Sequence, residues 1–296
     1  MKTGRIRTSL LSKCFDAGNI VFLTLLCVAT IYPFLFLLSL SFSPGDISFS
    51  QIHLIPPKWT LSNYEKVLTN EFIASGFANT LLRTLLGTAI TVLITIFTAY
   101  PLSKKYFPNR NFWTAFIVFT MFFSGGLIPM YLLVKKLGMM NSIWALIIPG
   151  LVHTFQMIIA RNFFMSLPES LEESAKIDGA NEVRILFSLV IPLSMPIIAT
   201  LSLWTAVHHW NAWFDSMIYI SDSNKHVLQV VLRRIVLEGT KDMMDLNAFE
   251  NDKDMVANPE TIKATTVMVA TIPIILIYPF VQKHFVKGIM VGSLKG

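Results

Sequence analysis

The sequence is poor in charge. Only 14% of its 296 residues are Asp, Glu, Lys or Arg, against about 25% in a soluble globular domain. With an apolar fraction of 53% and a mean hydropathy of +0.59, this deficit excludes an ordinary soluble enzyme. Cysteine is scarce too. Cys14 and Cys27 are too few for a disulfide framework or a zinc site, and both read as free thiols. No G-x-x-x-x-G-K-[ST] pattern occurs, so the loop that cradles nucleotide phosphates is missing. The absence of H-E-x-x-H and G-x-S-x-G removes zinc-protease and nucleophile-elbow chemistry. There is no evident internal repeat, which removes one pointer to a secondary transporter.

The charges that are present fall unevenly. Six stretches carry none: 17–45, 84–103, 111–134, 137–160, 185–214 and 264–282, together about half of the chain. A helix of roughly 20 mainly apolar residues crosses about 30 Å of hydrocarbon. The pattern predicts an all-α membrane protein with six transmembrane helices, at about 19–41, 80–103, 112–134, 139–160, 185–208 and 264–282. A segment 1–18 precedes a single transmembrane domain, 19–296. The first apolar stretch is too long for a signal-peptide core and is expected to be retained. Lys2, Arg5, Arg7 and Lys13 favour a cytoplasmic N-terminus, and six crossings return the C-terminus to the same side. Lys104, Lys105 and Arg110 agree with that orientation, while Lys135 and Lys136 run against it. Two long segments then lie outside, 46–79 and 215–263. The first has an amphipathic stretch at 61–77, and the second a candidate rim helix at 225–238.

Within the expected spans the only charge is Arg83, placed near an edge. An ion-coupled transporter normally needs an embedded acid or base, so the pattern favours an external energy source. Spans three to five contain helix breakers: Ser124-Gly125-Gly126 and Pro129, Pro149-Gly150 with His153, and Pro192 with Pro196. Such residues read either as breaks beside a water-filled cavity or as close helix packing on small residues. At the outer end of span five, Trp204, His208, Trp210, Asn211 and Trp213 crowd together. They suit an aromatic belt at the membrane interface or a sugar platform, with rings stacking on pyranose faces and polar groups donating hydrogen bonds. His208 and His209 are adjacent, so on a helix they point about 100° apart and cannot easily share a metal.

The segment between spans four and five reads SLPESLEESAKIDGANEVRILFSLVIP, residues 166–192. Ser166 and Glu169 have capping-box spacing, Pro168 suits a first turn, and Glu169, Glu172 and Glu173 suit a helix N-terminus. Gly179 suits the left-handed position after a helix end. A short cytoplasmic helix is predicted at about 167–178, with Leu167, Leu171 and Ala175 on one face. A second helix is expected from about Asn181. Periodicity alone allows either a docking element for a partner groove or a plain surface turn.

This segment resembles the signature of permease subunits of bacterial binding-protein-dependent ABC importers: EAA, three residues, Gly, nine residues, I-x-L-P. Glu173-Ser174-Ala175, Gly179 and Leu189-Val190-Ile191-Pro192 hold the corresponding places. Ser174, Leu189 and Ile191 are conservative departures. Stretches 79–88, 123–138, 209–220 and 278–296 are similar to the carbohydrate-uptake branch, and within it to the lipoprotein/polygalacturonan-type oligosaccharide permeases. The resemblance implies a coupling helix that docks on an ATPase through Glu173, Ser174, Ala175, Asp178 and Gly179, with Pro192 completing the motif. It also implies a C-terminal tail contact at Lys295 and Gly296. Expected partners are a second homologous permease, an ATPase dimer, an extracytoplasmic solute-binding protein docking on 215–263, an oligosaccharide and membrane lipid; nucleic acid is not among them. The chain itself binds no cofactor, and ATP and Mg belong to the ATPase. The expected location is the bacterial cytoplasmic membrane. A non-sugar ABC permease, an ion-coupled carrier, and a membrane enzyme or scaffold are the alternatives.

Overall fold

A computed structural model describes residues 10–45, 54–237 and 259–293, with side chains described to residue 276. The described residues are helical and contain no strand. In order they form α1 (Leu10–Ser41), α2 (Ser62–Thr69), α3 (Glu71–Ser103), α4 (Arg110–Phe122), α5 (Leu127–Lys136), α6 (Trp144–Ile147), α7 (Thr154–Met165), α8 (Glu169–Ile177), α9 (Glu182–Ile185), α10 (Ile191–Leu193), α11 (Met195–Asn211), α12 (Phe214–Tyr219), α13 (Leu228–Leu237) and α14 (Pro259–Ser293).

Among the described residues, three helices are long and apolar enough to cross a membrane: α1, α3 and the start of α14. The uninterrupted spans expected in the middle of the chain are instead bent pairs. α4 and α5 meet at 111°, the α6 segment and α7 at 55°, and the α9–α10 segment and α11 at 81°. Counting each pair as one span gives up to six crossings. The bends sit where the breakers lie. Ser124-Gly125-Gly126 separates α4 from α5, and Gly126 takes φ +85°, open to glycine without strain. His153 precedes α7 in extended conformation. Pro192 and Pro196 flank Ser194, and a π-turn at Leu186–Val190 leads into that bend. A proline ring removes a backbone donor and blocks the preceding carbonyl, so a helix kinks there. Several boundaries also move. Span two begins at Glu71 rather than about 80, because Asn70 Oδ1 accepts the amides of Phe72 (3.1 Å) and Ile73 (3.2 Å). That cap also splits the expected amphipathic stretch 61–77 into α2 and the first turns of α3.

The chain forms two compact units, one of residues 1–67 with 239–269, the other of 68–238 with 270–296. In the first unit most of α1 is exposed, with Phe15, Ile20, Phe22 and Leu25 among its open apolar side chains. Its C-terminal carbonyls lack helical partners. The amides of Phe42 and Ser43 donate to Ser39 O and Leu40 O, and Asn63 Nδ2 donates to Ser41 O (3.1 Å) and to Ser43 O just beyond (2.7 Å). Thr265 Oγ1 donates to Ser41 O at 3.3 Å, and Tyr64 shares a 2.8 Å hydrogen bond with the Ser41 hydroxyl.

In the second unit α3 packs along α7 and α11. Its buried face runs Ile73, Gly76, Thr80, Arg83, Thr84, Gly87, Thr91, Thr95 and Ala99 at helical spacing. Small and hydroxyl residues of this kind let membrane helices approach closely. A Cβ on Gly87 would lie 2.5 Å from His209 Nε2, so the imidazole occupies the place a side chain would need. Arg83 lies well inside α3 rather than near its start. It is 1% exposed, pairs with Asp215, and donates to Ala212 O (3.1 Å) and Leu146 O (3.2 Å). The α6, α11 and α12 ends therefore converge on one guanidinium, whose planar set of donors serves several acceptors at once.

The expected rim helix is α13, which buries Leu228, Val230, Val231 and Ile235. Asn79 Nδ2 donates to the oxygens of Asn224 (2.8 Å) and His226 (3.2 Å), and Thr80 Oγ1 accepts from Leu228 N (2.8 Å). His226 is the pivot of this knot. Arg234 Nη2 lies 3.0 Å from its Nε2. A guanidinium only donates, so His226 is neutral with its proton on Nδ1, toward Ser216 Oγ at 3.4 Å. Burial, then the Arg234 charge, pushes the imidazole below its usual 6.5, and Asp222 opposes them. The fold therefore favours the neutral ring. Its contribution is complete above the usual value and is lost as pH falls through the lower folded one. Hydrogen exchange corrected for intrinsic rates tests this: protection over 226–237 should drop from about pH 7.5 to about pH 5 in wild type, and stay level in His226→Gln. Equal protection at both pH values in wild type would contradict the assignment.

Candidate functional site

The segment between α7 and α11 begins with a change of capping. Ser166 does not form the expected capping box. It ends α7, and its hydroxyl donates to Phe163 O at 2.7 Å. Pro168 takes the cap position of α8 in extended conformation, so the helix starts at Glu169 and ends at Ile177, slightly inside the expected 167–178. Glu169 and Glu172 occupy the first turn, where the helix dipole favours negative charge. The far end closes as a Schellman motif. Ala180 N donates to Ala175 O (2.9 Å), Gly179 N donates to Lys176 O (3.0 Å), and Gly179 sits at φ +78°. Asn181 then caps α9, its side chain accepting from Arg184 N at 2.8 Å. The turn predicted at Gly179 and the helix start predicted at Asn181 are both present.

Nothing in α8 is fully buried. Leu167 and Ala175 rest against a core that includes Phe164, Ile185, Leu186 and Val190. Leu171, the third member of the expected stripe, is half open, and Ile177 is 86% exposed. Glu173, Ser174, Asp178 and Gly179 are exposed as well, as is Pro192 at the start of α10. A cavity of about 220 Å³ lies between α8 and the end of α3, with Lys104, Tyr106, Glu172, Glu173 and Lys176 on its walls.

Polar contacts in and beside that cavity join α8 and α9 to the end of α3. Lys104 pairs with Glu172, and Lys105 with Glu169 at 2.7 Å. Lys176 Nζ lies 2.8 Å from Glu182 Oε1, and Tyr100 donates its hydroxyl hydrogen to Glu182 Oε2 at 3.1 Å. Lys104 also stands 4.5 Å over the Tyr100 ring, and Lys176 4.5 Å over the Tyr106 ring, both within cation–π range. Hydrogen bonding to Glu182 raises the Lys176 ammonium above its usual range, against a smaller desolvation effect, while Lys105 holds the Glu169 carboxyl below its own. Both groups are thus charged at neutral pH. Sequence reasoning used Lys104 and Lys105 only for orientation and missed this network. The available signal was a basic pair and an acidic run on the same side of the expected membrane.

The five aromatic and polar residues at the end of α11 do not form one cluster. Trp210 is withdrawn from any surface: it is 6% exposed, donates to Ala270 O at 3.2 Å, and meets Phe77 edge-on. Trp213 carries Arg233 on its ring at 4.1 Å. Trp204 and His208 do share a face, stacking on Phe155 and meeting His153 edge-on at 5.1 Å. Asn211 is exposed but bonds its own helix at Val207 O (2.9 Å). His209 turns away from His208 into the packing against Gly87. Among the described residues no group of three or more His, Cys, Asp or Glu is placed to hold a metal ion. Lys295 and Gly296 lie outside the described residues.

Residues 72–291 match the family described as binding-protein-dependent transport system inner membrane component. The chain belongs to that family. It is a permease subunit of an ABC importer, and ATP hydrolysis resides in a separate subunit. Protein LplC of Bacillus subtilis (strain 168) is 40% identical over 287 residues, covering 96% of each chain. The polygalacturonan/rhamnogalacturonan transport system permease protein YtcP of the same organism is 39% identical, over 96% of this chain and 99% of its own. The fold also matches a crystal structure of a bacterial ABC transporter involved in the import of the acidic polysaccharide alginate. There the TM-score is 0.88 at 30% identity, over 95% of this chain and all of the other.

The permease's α8 depends on Gly179 through backbone conformation alone, because a Cβ there would meet nothing within 4 Å. Gly179→Val should weaken the α8 terminus by roughly 1–2 kcal/mol, the cost of the left-handed region for an ordinary residue, and Gly179→Asn by less. Hydrogen exchange across 169–181 measures this; equal protection in the glycine and valine proteins would contradict it.

Proposed function

We propose that this chain is one of two non-identical permease subunits of a bacterial importer that carries oligosaccharides, acidic ones included, across the cytoplasmic membrane. On this reading it crosses six times, both termini are cytoplasmic, and two ATPase subunits sit below. A solute-binding protein docks outside on the 215–263 segment, whose α12 and α13 are described here. The ATPase dimer binds ATP with Mg and closes on it; α8 conveys the closure to the spans. Glu173, Ser174, Ala175, Asp178 and Gly179 form the contact, Pro192 completes the motif, and Lys295 and Gly296 supply a further, C-terminal contact with the ATPase. The observation that carries the reading is α8 itself. It is a short helix, closed at the glycine of the family signature, that leaves Ile177 86% exposed and Leu171 41% exposed. An apolar side chain left open on a cytoplasmic helix is an anchor for a partner groove.

Support for a sugar cargo comes from the names of the relatives and from the structure matched. Trp204 and His208, with Phe155 and His153, are the best placed to meet it. A histidine open on a spanning face is costly against lipid, which favours a wet pathway or the partner permease there. The test is reconstitution of both permeases, the ATPase and the binding protein in vesicles, with a galacturonic acid oligomer as cargo. Uptake should require ATP. Ile177→Asp and Glu173→Lys should each weaken ATPase association, by roughly 30-fold where an anchor is lost. Undiminished association and uptake in both variants would overturn the coupling role; uptake without the ATPase would overturn the importer reading.

A further inference from the structure

We infer that Lys104, together with Glu172, Tyr100 and Glu182, forms a strut that makes α8 and the end of α3 one mechanical body, so that Lys104 is a positioning residue for transport rather than a docking residue. The inference rests on the reading of α8 as the element the ATPase moves.

The covalent routes away from α8 pass through non-helical joints. On one side lies Ser166-Leu167-Pro168; on the other, the left-handed turn at Gly179 leads into Ala180 and Asn181. Beyond α9 come the π-turn and the 81° bend at Ser194. A push delivered to α8 would be absorbed in these joints if the chain were its only connection. Packing holds it only in part: Leu167 and Ala175 rest against the core, and α8 buries no residue completely. Side chains close the gap instead. The Lys104 and Glu172 side chains are only 11% and 12% exposed, so their attraction is screened less than that of the open Lys105–Glu169 pair. On the second arm, Glu182 takes Tyr100 on one oxygen and Lys176 on the other. That carboxylate ties the last turns of α3 to the C-terminal end of α8 at a single point. α3 in turn packs along both α7 and α11, the helices that carry Phe155 and Trp204. Two arms at different heights on α3 resist rotation as well as translation, which one ion pair could not do.

The complete reconstituted complex provides the test, with uptake measured per ATP hydrolysed so that yield does not enter. Lys104→Met, Glu172→Gln and, on the other arm, Glu182→Gln should each co-purify with the ATPase as wild type does and still hydrolyse ATP. Each should lower uptake per ATP by about tenfold, the size of a typical coupling between sites. The reversed pair, Lys104→Glu with Glu172→Lys, should recover most of that loss. Wild-type coupling in the single variants would overturn the strut, as would a reversed pair no better than either. ATPase dissociation in Lys104→Met would also overturn it, by placing Lys104 in the docking contact. If wild type itself fails to bind the ATPase, the fault lies with the reading of α8 and not with the strut.

Discussion

The attachment of α8 to α3 by charge is the interaction on which the rest of the structure depends. A nine-residue helix with no buried residue has little intrinsic reason to exist, since isolated helices of that length are marginal in water. Four features hold it in place. They are the negative first turn, the Schellman closure at Gly179, the partial burial of Leu167 and Ala175, and the ion pairs to Lys104 and Lys105. The first two make the helix; the last two give it a fixed place. Without them the exposed Ile177 would be an apolar side chain on a loose tether rather than an anchor at a defined point.

α3 is bound by charge at two places, near its middle and at its C-terminal end. Far from Lys104, the buried Arg83 joins Asp215 and two backbone carbonyls at the α6, α11 and α12 ends. Taking such a pair out of water is costly, and removing one partner leaves the other uncompensated. Such a contact therefore fixes position more than it adds stability. Around Arg83, the buried face from Gly76 to Ala99 is built largely of residues small enough for neighbouring helices to lie close, with His209 filling the notch at Gly87. The bent pairs packed on it carry the irregular backbone, while α3 runs as one unbroken helix.

Much of this was legible in the sequence because it is local. Charge-free stretches marked the apolar helices, Gly179 marked the left-handed turn, and Asn181 marked the following cap. The breakers at Ser124-Gly125-Gly126, Pro192 and Pro196 were visible too, but periodicity could not decide between close packing and a true bend. What stayed hidden is long-range. Lys104 and Glu172 are 68 residues apart, and Arg83 and Asp215 132 apart. Arg83 stood near the start of the expected span; the Asn70 cap places it well inside α3, but its buried pairing with Asp215 had no local signal. Trp210 looked available because aromatic crowding says nothing about which rings a neighbour covers. Ser166 had the spacing of a capping box, yet its hydroxyl is used one turn earlier.

The claim that α8 and the end of α3 move as one body is open to a direct distance measurement. Spin labels at Ser170, exposed on α8, and Leu93, exposed on α3, suit electron–electron double resonance once Cys14 and Cys27 are replaced by Ser. In the assembled complex the distance distribution should stay narrow and unchanged between the nucleotide-free and ATP-bound states, and should broaden when Glu172 is replaced by Gln. A shift or broadening on ATP binding in the otherwise intact protein would show that α8 moves independently of α3, and would contradict the account.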